Sequence, residues 1–495
     1  MQRFTWLFAI LILSLATPLL AQAQPALVSN SAMGDRDADA LQHTIVWVPC
    51  PENAAVECAA LTLPVDYAKP RATFEMAVVR AKALNPAARI GVLFVHPGGH
   101  ASGVDFVRNG VSDPSFNRVR QRFDIVSLDP RGAGRTRPLA CGFDLPPLAG
   151  PQTDATLQAF YDDRARLVAA QCLDEDRDFV LSISGNNFAR DIEQFRRALG
   201  ERQLSFLMIS NSGPVGAVYA SRYPKRVRAM LLDSPVGPDF RDYNIERPAE
   251  QAAAQDLALG RVDQICARTP SCPLHTTGVV AAFDTVRERL LAQPFTLPDG
   301  SLFTAARFSS AIAFALSNES QWPLVVVALT NALAENYALF AQVPGFPTLG
   351  DGFTARFCND YGTRRAAADY QQVVEALGTT YERFTSAPAL ASSVSSCMAW
   401  PAADTPLIRN VQRKLKTPIL LIGGEFDTDA PFSWTKRMAT ALGMDDTVVR
   451  YTGGGHVLAQ RDDLPCITRI IDAYLFDLTL PAPGTVCPAA PFGAP

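Results

Sequence analysis

The chain has 495 residues, which at roughly 150 residues per domain allows about three domain-sized units or one large core with an insertion. Its 45 Lys and Arg residues against 49 Asp and Glu give a formal charge of -4, and no long basic run occurs, so no nucleic-acid partner is expected. Hydrophobic residues make up 48% and charged residues 19%, which excludes the disordered class and predicts a folded globular protein.

The first segment has the pattern of a secretory signal peptide. Arg3 supplies a positive charge, residues 6–15 are apolar, and Ala21-Gln22-Ala23 is a small-x-small cleavage motif. We predict cleavage after Ala23, so residues 1–23 are removed and the mature chain is secreted or periplasmic. The apolar run is shorter than the roughly 20 residues that span a bilayer, and later runs are interrupted by Pro, Gly or charge, so no membrane span is expected.

Short apolar runs alternate with helical patterns over much of the chain. This alternation predicts an α/β fold with a doubly wound, mostly parallel sheet. The predicted strands are 90–95, 124–128, 204–209, 227–232, 418–422 and 447–451, and the predicted helices among them include 156–172, 188–199 and 432–442.

The stretch 240–405 breaks the alternation. It predicts successive helices, for example over 248–267, 279–292 and 323–339. A helical cap inserted into an α/β core accounts for this pattern, the core then consisting of residues 24–239 and 406–495. The sequence gives no indication of the oligomeric state.

Ten cysteines are present, an even number that suits an oxidising compartment. The alternative is a metal site, but no C-x-x-C motif occurs and the five histidines are scattered, so disulfides are favoured and no metal or other cofactor is expected. The pattern leaves the pairing open. The cysteines are Cys50, Cys58, Cys141, Cys172, Cys266, Cys272, Cys358, Cys397, Cys466 and Cys487.

Loops after the strands are the places to look for chemistry, because ligands of open α/β sheets bind at the carboxyl ends of the strands. The loop after the first predicted strand contains Gly98 and Gly99. Adjacent glycines allow backbone N–H groups to face a ligand, as an oxyanion hole requires, although an ordinary tight turn is the alternative. The loop 129–134 lacks the third glycine of G-x-G-x-x-G, so a dinucleotide site is not favoured.

Ser210 follows the strand 204–209 and precedes a helical pattern. This is the position of a nucleophile elbow, in which the sharp turn exposes the serine Oγ and the next N–H, that of Asn211, faces the developing oxyanion. The usual G-x-S-x-G motif is absent, because Met208 and Ser212 occupy the glycine positions. Taken alone, the motif favours a helix-capping serine.

Two further turns change that interpretation. Asp427 follows the strand 418–422 and His456 follows 447–451, which gives the chain order Ser, Asp, His of a hydrolase triad. Of the other histidines, His43 precedes the sheet and His275 lies in the insertion, while the remaining two belong to the glycine loop. We therefore expect His456 to be the base.

The mature chain resembles the secreted α/β-hydrolase serine peptidases of the tripeptidyl and prolyl aminopeptidase type over nearly its whole length. The resemblance rests on Trp47-Val48-Pro49-Cys50, Leu63-Pro64-Val65-Asp66-Tyr67, His96-Pro97-Gly98-Gly99, Asp129-Pro130-Arg131-Gly132-Ala133-Gly134, Tyr219-Ala220, Tyr223-Pro224, Gly424-Glu425-Phe426-Asp427, Ala430-Pro431, Gly454-Gly455-His456, Cys466, Ala473-Tyr474-Leu475, Leu480-Pro481 and Cys487.

The resemblance implies Ser210 as nucleophile, Asp427 as acidic member and His456 as base. Counting back nine residues from Tyr219 reaches Ser210 without a gap, whereas Ser212 would require a two-residue deletion. The resemblance also implies a helical cap and disulfides between neighbouring cysteines, that is 50 with 58, 141 with 172, 266 with 272, 358 with 397, and 466 with 487.

Three functions are compatible with the sequence. The first is a serine exopeptidase that trims short peptides from their amino end; the others are an esterase or amidase, since fold and triad do not select the acyl donor, and a non-catalytic binding protein. An aminopeptidase must pair the substrate amine with a carboxylate, since an unpaired buried charge is costly. Asp360, near Cys358, is the candidate for that carboxylate.

Overall fold

A ten-stranded sheet forms the centre of the protein. The computed structural model describes residues 45–141, 154–297, 300–341, 350–361, 383–384, 397, 399–401, 407 and 417–489. The predicted signal peptide, its cleavage site and the boundary predicted at 405 lie outside the described residues. The strands of the sheet are β1 (Val48–Cys50), β2 (Asn53–Pro64), β3 (Thr73–Ala81), β4 (Gly91–His96), β5 (Phe123–Leu128), β6 (Leu204–Ile209), β7 (Val227–Asp233), β10 (Ile419–Phe426), β11 (Val448–Gly454) and β12 (Val486–Cys487).

The strand order is β1-β2-β3-β5-β4-β6-β7-β10-β11-β12. The pairs from β1 to β5 along this order are antiparallel, and those from β5 to β12 are parallel. The mostly parallel α/β sheet is therefore confirmed. Because β6, β7, β10 and β11 are parallel neighbours, the turns that follow them meet at one edge of the sheet.

Helices cover the sheet and form the insertion between β7 and β10. In the described residues they are α1 (Gly103–Gly110), α2 (Pro114–Arg120), α3 (Asp154–Ser182), α4 (Gly185–Ala198), α5 (Gly213–Arg222), α6 (Tyr243–Ala267), α7 (Val279–Ala292), α8 (Ala305–Leu316), α9 (Trp322–Leu333), α10 (Ala338–Ala341), α11 (Asp351–Asp360), α12 (Phe432–Leu442) and α13 (Pro465–Asp477). A short hairpin, β8 (Phe295–Thr296) with β9 (Leu302–Phe303), follows α7.

The central strands are buried on both faces. On β4, Phe94 packs into the core on one side of the sheet, whereas Leu93 and Val95 pack into the core on the other side. Strands covered on both faces have continuous apolar runs, which is why all six predicted strands are present. The insertion has a third hydrophobic core of its own, built from α6 to α10 and including Phe283 and Phe308.

The sequence patterns missed β2 and β3. Buried and exposed residues largely alternate along β3, as expected for an antiparallel strand with one face toward solvent. Such strands lack the continuous apolar run that identified the others. The prediction of one helix over 323–339 is wrong in one respect, because the observed helix ends at Leu333 and a second one begins at Ala338. Between them, Glu335 has a left-handed backbone (φ 59°), and the Asn336 side chain accepts a hydrogen bond from the Ala338 N–H at 3.1 Å.

All ten cysteines are paired, and the five pairs are those that the resemblance implied. They are Cys50–Cys58, Cys141–Cys172, Cys266–Cys272, Cys358–Cys397 and Cys466–Cys487. Each bridge typically stabilises a fold of this kind by about 2 to 5 kcal/mol. Five structural disulfides belong to a protein that folds in an oxidising compartment, outside the cytoplasm.

None of the described helices has by itself the length and apolar character needed to cross a bilayer. One pair, Ala305–Leu316 with Glu319–Leu333, meets those requirements jointly but is bent by 119° at its break.

Candidate active site

Ser210 lies at a sharp turn between β6 and α5. Its φ of 55° is left-handed, a conformation that costs a non-glycine residue about 1 to 3 kcal/mol and that clusters at functional sites. The neighbouring Ser212 is fully buried and donates its hydroxyl hydrogen to the Ile209 carbonyl at 2.7 Å. Ser210 therefore occupies the strained position of the turn, and the Ser212 hydroxyl ties the turn to the end of β6 by a hydrogen bond.

Met208 and Gly216 explain how the turn forms without the usual G-x-S-x-G glycines. Met208 is fully buried, and a Cβ added at Gly216 would lie 3.0 Å from its Cγ. The space that a glycine would leave at position 208 is thus filled by methionine, and the glycine is found one helical turn into α5 instead.

Gly98 packs directly against the Ser210 turn. A Cβ at this position would lie 2.5 Å from the Ile209 carbonyl oxygen, 2.9 Å from the Ser210 Cβ and 3.0 Å from the Asn211 nitrogen, and φ is +85°. Only glycine permits this approach. The loop predicted to form an oxyanion hole therefore lies against the serine.

The N–H groups at this contact differ in their availability. The Gly98 N–H donates to His96 Nδ1 at 3.2 Å. Within the described residues, the N–H groups of Gly99 and Asn211 have no protein acceptor. Of the three predicted oxyanion donors, Gly99 and Asn211 are therefore the two whose N–H groups are available, and Gly98 provides the close approach.

Asp427 and His456 form a hydrogen-bonded pair at the ends of β10 and β11. The distance from Asp427 Oδ2 to His456 Nδ1 is 2.9 Å. The other carboxylate oxygen of Asp427 accepts hydrogen bonds from the backbone N–H groups of Asp429 (2.9 Å) and Ala430 (2.8 Å). Asp427 is thus held by its own turn, and it orients the imidazole.

Three carboxylates surround His456 and set its charge. Burial lowers the pKa of a histidine, but the charge and hydrogen bond of Asp427, followed by the charges of Asp429 and Asp233, raise the pKa of His456 to about 9. Burial in turn raises the pKa of Asp233 to about 6. These carboxylates stabilise the imidazolium that forms when His456 accepts a proton, but below about pH 9 they also keep the resting ring protonated, so the neutral base is the minor form there.

The other described histidines do not provide a base of this kind. Burial lowers the pKa of His96 well below its usual value, and burial together with Arg356 lowers the pKa of His100 to about 3. His275 contacts the Cys266 carbonyl in the insertion. His43 lies outside the described residues. Among the histidines that the structure describes, His456 is the one paired with a carboxylate.

The assignment of Asp360 to a substrate amine is wrong. Its side chain is fully buried, lies 3.2 Å from the Arg356 Nε and accepts the Gly185 N–H at 2.9 Å. Arg356 in turn donates to the Asn211 carbonyl at 3.1 Å. The Asp360–Arg356 pair thus supports the Ser210 turn from behind and has no carboxylate oxygen open to a ligand.

Sequence reasoning missed Asp233 and Asp429. Asp233 ends β7, beside the strand that carries Ser210, and the rule that selected Asp427 applies equally to it. Asp429 is only two residues beyond Asp427. Within the part of the chain that the structure describes, no group of three or more His, Cys, Asp or Glu side chains is arranged to hold a metal ion.

Two family models match the chain. One, described as an alpha/beta hydrolase fold, matches residues 91–263, which include β4 to β7 and the Ser210 turn. The chain has the α/β-hydrolase fold. The second model, described as a TAP-like protein, matches residues 383–487, which include Asp427 and His456.

Curated relatives of this α/β-hydrolase align over most of both chains. Serine protease Hip1 of Mycobacterium tuberculosis is 27% identical and covers 90% of this chain and 91% of its own. Carboxylesterase B of the same species is 27% identical, with 89% of each chain covered. Tripeptidyl aminopeptidase of Streptomyces coelicolor is 26% identical, covering 92% of this chain and 88% of its own. The α/β-hydrolase is accordingly a serine hydrolase.

Proposed function

We propose that this hydrolase is an aminopeptidase that releases short peptides or single residues from the amino end of peptide substrates. The proposal rests on one arrangement: a left-handed Ser210 touching Gly98, at the sheet edge that carries the Asp427–His456 pair. The TAP-like match and the relatives named serine protease and tripeptidyl aminopeptidase support a peptide substrate.

The chemistry is acyl transfer in two steps. His456 takes the proton of Ser210 Oγ as that oxygen attacks the substrate carbonyl, and Asp427 stabilises the imidazolium. The Gly99 and Asn211 N–H groups stabilise the oxyanion, an effect typically worth about 3 kcal/mol per donor. His456 then protonates the leaving amine, and water releases the acyl group from Ser210.

Asp429 is our candidate for the substrate's amino group. It is half-buried, and its charge influences His456. Within the described residues its carboxylate has no hydrogen-bond donor or ion-pair partner, whereas its backbone is fixed by Asp427 and by Gln251, whose Nε2 donates to the Asp429 carbonyl at 2.7 Å. A fixed carboxylate without a partner, beside the base, suits a substrate ammonium group.

Location and domain boundaries form part of the same proposal. Residues 1–23 are the signal peptide, removed after Ala23, and the mature chain is secreted or periplasmic. Residues 240–405 form the cap and limit substrate length, and the core consists of 24–239 and 406–495. The cap has its own hydrophobic core, and the Ser317 carbonyl after α8 accepts the His456 N–H at 3.0 Å, so the cap reaches the base.

An esterase or amidase is the second candidate. The relative named carboxylesterase B has the same 27% identity to the chain as the one named serine protease, and a triad alone does not select the acyl donor. No observation favours the non-catalytic binding protein.

Fluorophosphonate labelling of the full chain, produced in an oxidising compartment, tests the triad. We expect labelling of the wild type and of Ser212→Ala and none of Ser210→Ala. Labelling of Ser210→Ala, or none of the wild type, would refute the proposed nucleophile.

Substrate class is tested with a tripeptide p-nitroanilide, its N-acetylated form and a p-nitrophenyl ester. An aminopeptidase cleaves the free-amine peptide and not the acetylated one. Asp429→Asn should raise KM for the free-amine peptide by about tenfold, because the charge-assisted contact between the carboxylate and the substrate amine is lost. KM for the ester should be unchanged. The matched control is Asp446→Asn, an exposed carboxylate at the opposite end of β11. Equal rates on free and acetylated peptides would assign the protein to the esterases or endopeptidases.

A further inference from the structure

The end of β7 and the turn that follows it contact the Ser210 turn, strand β10 and the loop that carries His456. The Val236 N–H donates to the Ser210 carbonyl at 3.2 Å, and the Ser234 N–H donates to the Ile422 carbonyl of β10 at 2.9 Å. The Asp233 carboxylate accepts the N–H groups of Leu458 at 3.2 Å and Ala459 at 2.7 Å, in the loop that carries His456. One turn thus joins the nucleophile, the strand of the acid and the loop of the base.

The loop that is hydrogen-bonded to Asp233 has an unfavourable backbone conformation. His456 lies between Gly455, with φ of +113°, and Val457, with φ of 67°. A β-branched residue in the left-handed region is a genuine outlier and persists only where its surroundings impose it. The two N–H groups held by Asp233 are those directly after Val457, so the carboxylate fixes the strained segment at its far end.

The Asp233 carboxylate is fully enclosed. Its side chain has no exposed surface, and besides the two loop N–H groups it accepts the Ser234 hydroxyl hydrogen at 3.1 Å. A buried carboxylate with three donors is committed to them and is not available to a substrate. Any effect of Asp233 on the reaction is therefore indirect, and its own hydrogen bonds act on the loop that carries His456.

We propose that Asp233 is a positioning residue, which holds the His456 loop in its strained conformation and adds its negative charge to those of Asp427 and Asp429 near the base. It rests on the proposed Ser210, Asp427 and His456 chemistry. Asp427 orients the imidazole ring through Nδ1, and Asp233 holds the backbone that carries the ring. The two carboxylates therefore act on different parts of the same residue.

The charges around His456 make this role measurable. Asp427 and Asp429 influence the pKa of His456 from the turn after β10, and Asp233 influences it from the end of β7. Replacing Asp233 by a neutral residue removes one of these negative charges, so the pKa of His456 falls. The acid limb of the pH–rate profile moves to lower pH, which a general loss of stability would not produce.

The experiment measures kcat, KM and the pH profile of kcat/KM for ester hydrolysis by Asp233→Asn. The two loop N–H groups bond to different oxygens of Asp233, and asparagine replaces one of those oxygens by an NH2 donor, so one of the two bonds is lost. We therefore expect kcat to fall about 10- to 100-fold, as for a misplaced catalytic group, with KM changed less than about threefold. The acid limb of the kcat/KM profile should shift to lower pH. Asp233→Glu keeps the charge and should retain the wild-type acid limb even where kcat falls.

Asp129→Asn is the matched control. Asp129 is an equally buried carboxylate at the end of β5, and it accepts the Val104 N–H at 2.9 Å and the Ser102 hydroxyl hydrogen. Loss of the Asp129 charge should leave the acid limb of the pH profile at its wild-type position. A wild-type acid limb and kcat in Asp233→Asn, or the same limb shift in Asp129→Asn, would overturn the proposal. If Asp233→Asn does not fold, a shifted acid limb in Asp233→Glu would overturn it. Activity in Ser210→Ala would instead refute the proposed function.

Discussion

The two sides of the catalytic site are built by different means. Around Ser210 the geometry comes from the backbone: a left-handed serine, the Gly98 contact and two N–H groups that have no acceptor among the described residues. Around His456 the geometry comes from charge, with three carboxylates acting on one imidazole. Changes on the first side should therefore be steric and independent of pH, and changes on the second side should depend on pH.

The largest effect is expected for Ser210→Ala. Removing the nucleophile should lower kcat/KM by at least about three orders of magnitude at every pH. Ser212→Ala should keep measurable activity, because that hydroxyl only bonds to backbone carbonyls. Rates on the ester for both variants check this, and loss in Ser212→Ala with activity in Ser210→Ala would reverse the assignment.

Gly98→Ala should have the next largest effect on activity. The added Cβ would meet the Ile209 carbonyl at 2.5 Å, so either the glycine loop or the Ser210 turn must move away. We expect kcat to fall about 100-fold, the cost of misplacing a reacting group by about 1 Å. The acid limb of the pH profile should stay in place, since no charge changes. A shifted limb would show that the two sides are not independent.

The pH profile of the wild type measures the charged side directly. A base must be neutral to accept a proton, and the pKa of His456 is raised to about 9. Activity should therefore rise by about tenfold for each pH unit below that value and level off above it. Steady-state kcat/KM on the ester from pH 6 to 10 tests this. A plateau already reached at pH 7 would contradict it.

Met208→Ala should affect stability more than chemistry. Met208 is fully buried and lies opposite Gly216, so its truncation leaves a cavity that the glycine cannot fill. The free energy of unfolding should fall by about 2 to 5 kcal/mol, read as a lower Tm. The conservative Met208→Leu should cost less than about 1.5 kcal/mol. An unchanged Tm for Met208→Ala would mean that the elbow repacks freely.

The sequence alone was enough to place Ser210, Asp427 and His456 after parallel strands. Buried strands have continuous apolar runs, and the residue that ends such a run lies at the sheet edge where ligands bind. The same local logic identified the helical insertion. It failed for β2 and β3, whose partly exposed faces remove the apolar run.

Tertiary structure alone decided which polar groups are available. Asp360 and Asp429 are equivalent in sequence terms, yet one is enclosed by Arg356 and Gly185 and the other has an unpaired carboxylate among the described residues. Likewise, the Gly98 N–H is engaged by His96 and the Gly99 N–H is not. The physical reason is that burial along a strand follows from local periodicity, whereas hydrogen-bond partners come from segments far apart in the chain. Asp233 and Ala459 are such partners, and they meet only because the sheet order brings their segments together.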